Sequence, residues 1–361
     1  AGPVALMPDA HVGIGATVGT VIATKRAIIP AAVGVDIGCG MIGVNLGHIH
    51  WPDKDMKELL KEFSRSIPAG TNQNHSKSSV DADAWLEEHP MPGILPRNIS
   101  KDTIARQLGT LGSGNHFLEI LSEASLNRSR SDTWVVIHSG SRGIGNKIAT
   151  MHIDKAKKDF PYHLPDKDLA WLNENTQEFR DYITQMFWAQ DYALANREFI
   201  MNAALQQISY FLGLQGDPIP ELERINCHHN FAELEYIKDE QYPIWITRKG
   251  AISAKFKEKG IIPGSMAAGC YIVEGLGNPL SYDSSSHGAG RRLSRGNAKR
   301  SLTLESLNEQ MEGKVWLQDK GQALLDEHPE AYKDLNQVME DQKDLTRPLF
   351  KLETILNYKG A

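Results

Sequence analysis

One aspartate, one cysteine and several histidines occur in segments rich in glycine or asparagine. Asp36 and Cys39 lie three residues apart in "GVDIGCGM", where the glycines let the backbone fold closely enough for a carboxylate and a thiolate to converge on one ion. His116 lies in "GSGNHFLE", His138 ends the apolar run "WVVIH", and His229 lies in "CHHNF". Together these residues offer sulfur, nitrogen and oxygen donors, and the set indicates a metal centre.

Each of these residues taken alone has a structural interpretation, because a free cysteine is commonly buried and a lone histidine is usually a hydrogen-bonded core or surface residue. The softness of the donors favours zinc, while nothing in the spacing excludes manganese or iron. The zinc-peptidase pattern HExxH is absent. The other histidines, such as His48, His50, His163 and His328, lie in no comparable context.

A second group of segments is suited to phosphate. In "SYDSSSHGAGRRLSRGNAK", residues 281–299, His287 follows three serines and precedes a Gly-Ala-Gly step. That step and "IIPGSM", residues 261–266, offer small residues whose backbone amides could approach a phosphate. A Walker sequence is missing, so His287 beside these amides predicts a phosphate site of another kind.

Basic residues accompany both groups. Arg291, Arg295 and Lys299 follow His287 at four-residue steps, which would place them on one face of a helix. A row of like charges mildly destabilises a helix, so this row favours an anion-binding use over a solvated basic face, which stays the alternative. Arg142 adds a guanidinium four residues after His138.

Composition places few restrictions on function. The chain has 361 residues and a formal net charge of -6, so any affinity for nucleic acid must come from local clusters of basic residues. Three sparse cysteines, Cys39, Cys227 and Cys270, argue against a disulfide scaffold and for a reducing compartment. No signal peptide and no run of ~20 apolar residues is visible. We therefore expect a cytoplasmic protein without a membrane segment.

Hydrophobic patterning predicts one domain of mixed strands and helices. Residues 134–140 read as a buried strand, and 68–97 as a long exposed loop or lid. An apolar face built from Phe179, Met186, Phe187, Ala193 and similar residues predicts a long helix. The predicted strands are 17–25, 27–35, 41–47, 134–140, 242–254 and 270–277. The predicted helices are 52–66, capped near Asp53, 166–212, and most of 303–343.

The motifs together resemble the RtcB family of GTP- and manganese-dependent RNA-splicing ligases. The resemblance rests on "MPDAHVGIGATVGTVIATKRAIIPAAVGVDIGCGM", "GSGNHFLE", "IHSGSRGIG", "CHHNF", "GIIPGSM" and "SHGAGRRLSR", which follow the family's order down to a near-terminal "YKG". It implies an α+β fold, with a β-sheet core flanked by helices, in a single RtcB-type domain over residues 1–361. The family usually carries a further N-terminal segment before the MPD motif, which is missing here.

The resemblance implies an RNA ligase that joins a 2′,3′-cyclic phosphate or 3′-phosphate end to a 5′-hydroxyl end, in RNA repair or tRNA splicing. A histidine attacks the α-phosphorus of GTP, and the GMP then passes to the RNA 3′-phosphate to give RNA-(3′)pp(5′)G. The 5′-hydroxyl displaces GMP, and a cyclic phosphate is first opened by water at the metal centre. Two manganese ions, GTP and both RNA ends are the implied partners, with room for an accessory activator protein.

Site residues carry over by position. His287 would be the nucleophile, and Cys39 would bridge the two ions. The implied metal ligands are Asp36, Cys39, His116, His138 and His229. The residues implied to line the guanosine nucleotide pocket are Asn115, His116, Phe117, Leu118, Glu119, His229, Asn230, Pro263, Gly264, Ser265, Met266, Cys270, His287, Gly288, Ala289, Gly290 and Lys359. The implied RNA-binding residues are Arg142, Arg291 and Arg295.

Three features depart from the family pattern. Cys270 stands where many relatives carry serine, and Ala361 extends past the usual terminal Lys-Gly. The polar loop at 70–90 has no counterpart in the family pattern, so the RNA preference of the family does not carry over. Two other functions compete with the ligase. A binuclear phosphoesterase would use the same ligands but leave His287 without a covalent role, and a non-catalytic RNA-binding paralogue predicts degraded ligand positions.

Overall fold

Two antiparallel sheets, of four and seven strands, form the centre of the protein. The structure is a computed structural model and describes residues 2–124, 131–158, 160–237 and 240–360. The strands are β1 Ala5–His11, β2 Val18–Thr24, β3 Ala27–Ile28, β4 Gly40–Asn45, β5 Phe117–Glu123, β6 Thr133–Ser139, β7 Leu172–Asn173, β8 Glu223–His228, β9 Asn230–Glu235, β10 Ile244–Lys249, β11 Ala251–Ser253, β12 Lys259–Pro263, β13 Cys270–Gly275, β14 Ser284–Ser286 and β15 Thr346–Lys359.

Helices cover the sheets and fill the connections. The helices are α1 Pro30–Val33, α2 Met56–Ser66, α3 Val80–Glu88, α4 Lys101–Gln107, α5 Arg142–Lys158, α6 Gln177–Phe211, α7 Arg295–Ser301, α8 Leu304–Gln310 and α9 Leu335–Asp341. The larger sheet has the order β12-β13-β15-β5-β6-β4-β8, and the smaller has the order β1-β2-β10-β9. Two short ribbons, β11-β14 and β3-β7, complete the sheets of the described residues.

Every pairing between the described strands is antiparallel. Antiparallel sheets with helices segregated to one side are the α+β arrangement, because parallel sheets need a crossover helix between successive strands. The α+β prediction is confirmed.

Both faces of the seven-stranded sheet are buried at its centre. On one face, Ile42, Leu118 and Ile137 pack with α2 and α6. On the other face, Phe117 and Trp134 lie in a second apolar cluster. Because successive side chains of a strand point to opposite faces, alternate residues of β4, β5 and β6 face the two clusters. The predicted buried strand over 134–140 is confirmed as β6, all seven residues of which are buried.

Several predicted elements have different bounds. The strand predicted over 27–35 is wrong beyond Ile28, because Pro30 begins the short helix α1 and proline suits the first turn of a helix. The helix predicted over 52–66 begins at Met56, with Asp55 rather than Asp53 as its cap. The segment 68–97 is not one exposed loop. It contains α3, whose Trp85 packs against the apolar core beside α6.

The long helix is confirmed but is shorter than predicted. A 3-10 turn at Lys167–Leu169 and the strand β7 come before it, and α6 begins after Thr176. Its apolar face is buried at Phe179 and Met186, whereas Phe187 is exposed. The predicted helical tail consists of α8, α9 and intervening 3-10 turns.

The start of α6 offers a test of these bounds. Thr176 Oγ1 accepts a hydrogen bond from the Phe179 N–H at 3.2 Å, whereas the exposed Thr184 donates its hydroxyl to a carbonyl inside the helix. We expect Thr176→Ala to lower the free energy of unfolding by about 1 kcal/mol through loss of the cap. Thr184→Ala is the control and should be near neutral. Thermal denaturation of both variants checks this, and equal midpoints would contradict the assigned helix start.

Candidate active site

Four neighbouring strands of the large sheet bring the predicted ligands to one edge. Gly40, at the start of β4, pairs with Ser139 at the end of β6 and with His228 at the end of β8. Phe117, at the start of β5, pairs with His138 on β6. Because antiparallel neighbours alternate in direction, the residues at these starts and ends lie side by side. The register therefore gathers Cys39, His116, His138 and His229.

The donor atoms of the five predicted ligands form a continuous chain of short distances. Cys39 Sγ lies 3.2 Å from His116 Nε2 and 3.3 Å from His138 Nε2. Asp36 Oδ2 lies 3.2 Å from His116 Nε2, and His229 Nε2 lies 2.9 Å from His138 Nε2. The sulfur is thus central, with one histidine and the carboxylate on one side and two histidines on the other.

The geometry and burial of these residues fit a metal ion. Cys39, His116 and His138 are buried, and their donor atoms lie within 4.8 Å of one another. Burial lowers the pKa of His138 and of His229 well below the usual range for histidine, so both rings are neutral and keep a free lone pair. His138 Nδ1 lies 3.0 Å from the Asn115 carbonyl, which must accept. The proton therefore sits on Nδ1, and Nε2 points its lone pair at the other ligands.

The two acidic ligands need a cation to be fully ionised together. Burial, and then the charge of Asp36, raise the pKa of Cys39 well above its usual value. Burial also opposes ionisation of Asp36, but its hydrogen bond to His116 and the charge of His116 bring its pKa below the usual value. Asp36 Oδ1 accepts from the Ser141 N–H at 3.1 Å. A soft sulfur, imidazole nitrogens and one carboxylate form a donor set for a divalent transition metal.

The loop before Cys39 adopts a backbone that only glycine adopts readily. Gly38 has a φ of +73°, and a Cβ there would lie 2.8 Å from the Ala193 side chain on α6. A glycine at position 38 therefore allows the loop before Cys39 to approach α6 closely.

His287 lies against the metal-ligand group. Its ring centroid is 4.7 Å from that of His229, and Asp9 on β1 holds its other side. Asp9 Oδ2 lies 2.7 Å from His287 Nδ1 and accepts from the backbone N–H groups of His287 at 3.1 Å and Gly288 at 3.2 Å. The negative charge of Asp9 this close to Nδ1 favours the neutral tautomer with its proton on Nδ1. In that tautomer the lone pair of Nε2 is free to attack an electrophile.

A cavity beside His287 collects most of the predicted nucleotide-binding residues. The lining residues predicted from the sequence are Asn115, Phe117, Glu119, His138, Pro263, Gly264, Ser265, Met266, His287, Gly288, Ala289, Gly290, Arg291, Arg295 and Lys359. The structure adds His11, Glu327 and Tyr332 to the lining. Residues that are remote in sequence thus form one cavity, which extends from His138 of the metal-ligand group to His287.

Opposite charges are buried at the base of this cavity. Burial raises the pKa of Glu119 to about 8, although the Asn357 side chain donates to its Oε1 at 2.6 Å. Lys359 Nζ is almost fully buried and lies 3.4 Å from Glu327 Oε2. A buried carboxyl and a buried ammonium group in one cavity suit a ligand that has both hydrogen-bond donors and negative charge.

Five predicted nucleotide residues lie outside the cavity lining: Leu118, Cys270, Asn230, His116 and His229. Leu118 points to the opposite face of the sheet and packs in the apolar core, because it alternates with Phe117 and Glu119 along β5. Cys270 is fully buried in the cluster around Trp134. Asn230 instead joins loops, since it donates to the Asp36 carbonyl and accepts from the Gly250 N–H. His116 and His229 lie behind the cavity, among the metal-ligand donors.

The three arginines that were all predicted to bind RNA differ in their partners and in their exposure. Arg142 donates to Thr110 Oγ1 at 2.9 Å and to the Gly70 carbonyl at 3.2 Å. Arg291 is not on a helix with the others, because α7 begins only at Arg295. Its side chain is 15% exposed and donates to Glu327 at 3.1 Å. Internal partners therefore occupy much of both guanidinium groups.

Arg295 is the most accessible of the three. Its side chain is 54% exposed, and Nε lies 4.0 Å from both Asp326 and Glu327, without closer pairing. Lys299, one turn later on α7, lies 3.3 Å from Asp326. The part of the predicted basic row that shares a helix is thus Arg295 and Lys299, at the rim of the cavity.

Sequence reasoning missed the partner of His287. Asp9 lies in the quoted MPD motif but 278 residues away in the chain, and only the packing of β14 beside β1 brings it to the imidazole. Glu327 and Tyr332 come from a segment that was predicted only as helical tail. No local sequence pattern marks either residue, because both line the cavity through contacts with Arg291 and Lys359, which are distant in the chain.

Comparison with known proteins decides the family. The family described as tRNA-splicing ligase RtcB matches residues 1–360. The chain belongs to the RtcB family. It is 40% identical over 381 residues to the RNA-splicing ligase RtcB of Escherichia coli (strain K12), an alignment that covers 99% of this chain and 90% of that protein. It is 30% identical over 399 residues to the tRNA-splicing ligase RtcB of Nanoarchaeum equitans (strain Kin4-M), covering 92% of this chain and 83% of that one.

The family resemblance drawn from the motifs is therefore confirmed. Among the described residues, no helix is both long enough and apolar enough to cross a membrane.

Removal of one ligand tests the metal centre. We expect Cys39→Ala to lose bound metal, because its sulfur is the atom shared by the two halves of the donor chain. The measurements are elemental analysis and the rise in thermal midpoint on adding Mn²⁺ to metal-free protein, which tight binding to the folded state must produce. Cys227→Ala is the matched control, since Cys227 packs against apolar residues. Full metal content in Cys39→Ala would refute the assignment.

Proposed function

We propose that the protein is a GTP-dependent RNA ligase that joins RNA 2′,3′-cyclic phosphate or 3′-phosphate ends to 5′-hydroxyl ends. The observation that carries the proposal is His287, which Asp9 holds with Nε2 free, beside His229 and facing the cavity. Family membership supports the ligase class, and the cavity supports a nucleotide as the first substrate.

The first step follows from the contact between His287 and Asp9. Its Nε2 lone pair attacks the α-phosphorus of GTP, the N–P bond forms, the bond from that phosphorus to the bridging oxygen breaks, and pyrophosphate leaves. The ring gains positive charge as the bond forms, and the Asp9 carboxylate 2.7 Å from Nδ1 stabilises that charge. Asp9 also fixes the ring orientation through its contacts to two backbone N–H groups.

We propose two Mn²⁺ ions as residents of the donor group, held by Asp36, Cys39, His116, His138 and His229. When bound, they supply Lewis acidity that offsets negative charge on phosphate oxygens. The donor chain with sulfur at its centre supports two positions on either side of Cys39. Mn²⁺ rather than Zn²⁺ follows from the family resemblance, since the donor types alone favour zinc.

The cavity residues would hold the guanosine nucleotide. The Gly288–Gly290 segment lies next to His287, and the turn at Pro263–Met266 lines the same space. The Gly288 N–H donates to Asp9 and the Ala289 N–H to the Pro263 carbonyl, so these amides hold the segment in place beside the cavity. Glu119 offers an acceptor for the N–H donors of guanine when ionised, with Lys359 and Asn357 nearby. The basic and acidic groups thus match a purine that donates hydrogen bonds and a phosphate chain that carries negative charge.

Two further transfers complete the reaction. An oxygen of the RNA 3′-phosphate attacks the phosphorus on His287, the N–P bond breaks, and the imidazole returns to neutral as RNA-(3′)pp(5′)G forms. The 5′-hydroxyl oxygen of the second RNA then attacks the RNA 3′-phosphorus, loses its proton, and displaces GMP. Arg295 at the exposed rim is placed to hold an RNA phosphate during both steps.

The competing phosphoesterase needs the donor group and a water molecule but no covalent histidine. It leaves the Asp9–His287 contact without a use, and it gives no reason for buried Glu119 and Lys359 in the adjoining cavity. A non-catalytic paralogue is disfavoured because all five proposed ligands and His287 are present and converge.

Covalent capture tests the nucleophile. We expect the intact mass of the protein to rise by one GMP on incubation with GTP and Mn²⁺, and His287→Ala to abolish the gain. Asp9→Asn should slow adduct formation by about a hundredfold or more, because the amide can donate to Nδ1 and so favour the wrong tautomer. Acid lability of the adduct checks a phosphoramidate bond.

His163→Ala, an exposed histidine outside the site, is the control and should form the adduct normally. Undiminished phosphoesterase activity without any adduct would reject the ligase in favour of the hydrolase.

Arg295 tests the RNA contact. We expect Arg295→Ala to leave adduct formation unchanged and to weaken RNA binding and joining of RNA ends, with the salt slope of binding reduced by about 1, so that the loss relative to the unaltered protein is largest at low salt. Arg300→Ala is the matched control, since Arg300 lies exposed on the same helix and donates to Asn297. Loss of the GMP adduct in Arg295→Ala would show instead that the side chain serves the nucleotide.

A further inference from the structure

Two consecutive residues at the middle of α6 lie directly behind the metal-ligand group. Asn196 and Arg197 are both fully buried, with 0% of their surface exposed. Neither contacts the nucleotide cavity. A buried guanidinium is costly unless its donors are satisfied, so the partners of Arg197 show what its burial achieves.

Arg197 bonds to three segments that carry proposed ligands. Nη1 donates to the Gly38 carbonyl at 2.8 Å and to the Ser139 carbonyl at 3.1 Å. Nε donates to Asn226 Oδ1 at 2.7 Å on β8, the strand that ends beside His229. Gly38 and Ser139 are the immediate neighbours of Cys39 and His138. One planar group therefore fixes the spacing of three donor atoms without touching any of them.

Asn196 extends the same contacts to a fourth segment. Its Oδ1 accepts from the Gly109 N–H at 2.9 Å and the Thr110 N–H at 3.3 Å. Its Nδ2 donates to Ser139 Oγ and to the Gly140 carbonyl, both at 3.1 Å. The segment at 109–110 leads into the loop that ends at His116, and Gly140 follows His138.

The charge of Arg197 has an unusual environment. Its described hydrogen-bond acceptors are two carbonyls and an amide oxygen, all uncharged, and the neighbouring His228 Nδ1 donates to the same Gly38 carbonyl at 2.8 Å. Burial lowers its pKa to about 10, so it stays protonated at neutral pH, and the nearby Cys227, Cys39 and Asp36 oppose that lowering. By contrast, Arg248, which is also fully buried, donates to the carboxylates of Glu233 and Glu235.

We infer that Asn196 and Arg197 are positioning residues of the metal centre, which hold four ligand-bearing segments in register and place one buried positive charge behind Asp36 and Cys39. The inference rests on the metal centre of the proposed function, and it assigns to α6 the control of metal affinity. Arg197 needs both its fork and its charge for this role, because Nη1 donates to the carbonyls of Gly38 and Ser139 while Nε donates to Asn226 on β8.

The test is cobalt binding by the full-length, metal-free protein, without GTP or RNA. Titration with Co²⁺ is followed by the thiolate-to-cobalt charge-transfer band and the d–d bands, which report the geometry around Cys39. We expect Arg197→Lys to weaken cobalt binding about 10- to 100-fold and to shift these bands, as loss of a residue that orients ligands does. Arg197→Met should weaken binding further, because it also removes the charge.

Arg248→Lys is the matched control. It alters an equally buried arginine bound to Glu233 and Glu235, so it should lower the thermal midpoint of the metal-free protein while cobalt affinity and bands stay those of the unaltered protein. The inference is overturned if Arg197→Lys binds cobalt within about twofold of the unaltered protein, against the loss typical of residues behind a metal site. It is equally overturned if Arg248→Lys weakens binding as much.

A second variant covers the case in which Arg197→Lys does not fold. Asn226→Ala removes the acceptor of Arg197 Nε, a 2.7 Å contact at a half-buried position, and leaves the arginine in place. It should weaken cobalt binding measurably, and unchanged affinity would reject the inference. If the unaltered protein binds cobalt but forms no GMP adduct, the ligase proposal fails while the role of α6 is still decided by these variants.

Discussion

The antiparallel register of β5, β6, β4 and β8 is the constraint on which the site depends. Cys39 and His116 immediately precede two of these strands, and His138 and His229 lie at the ends of the other two. Side chains alternate between faces along a strand, so a slip of one residue would turn His138 into the apolar core beside α6. The apolar residues on both faces therefore fix the donor distances before any ion binds.

The proposed nucleophile, His287, depends on a second, separate set of strands. Asp9 comes from β1 of the smaller sheet, and His287 follows β14, which pairs with β11. Gly290 keeps the two segments close, because its φ of +73° favours glycine and a Cβ there would lie 2.1 Å from the Asp9 carbonyl oxygen. The contact of His287 with His229 thus joins two separate sets of strands.

Local sequence patterns predicted the site residues better than they predicted their partners. Asp36, Cys39 and His138 stood out because glycine turns and a strongly apolar strand flank them, and these signals lie within ten residues. Asp9 and Arg197 gave no such signal, since their partners are 278 and about 60 to 160 residues away. The basic row failed as a single helix because Arg291 precedes Ser294, the residue that caps α7. The polar segment holding α3 was misread for a similar reason, because its weak apolar pattern conceals the contact of Trp85 with the core.

The charged side chains of the site differ in how deeply they are buried. Arg197 lies buried behind Asp36 and Cys39, Lys359 and Glu327 lie buried in the cavity wall, and Arg295 lies exposed at the rim. Electrostatic interactions are strong where water is excluded and weak where salt can screen them. In the proposed function, the buried charges would therefore hold the metal and the nucleotide, whereas the rim would govern the association of a long polyanion. This separation explains how a chain of net charge -6 can act on RNA, because the required positive charge is local to the path of the substrate and need not appear in the overall balance.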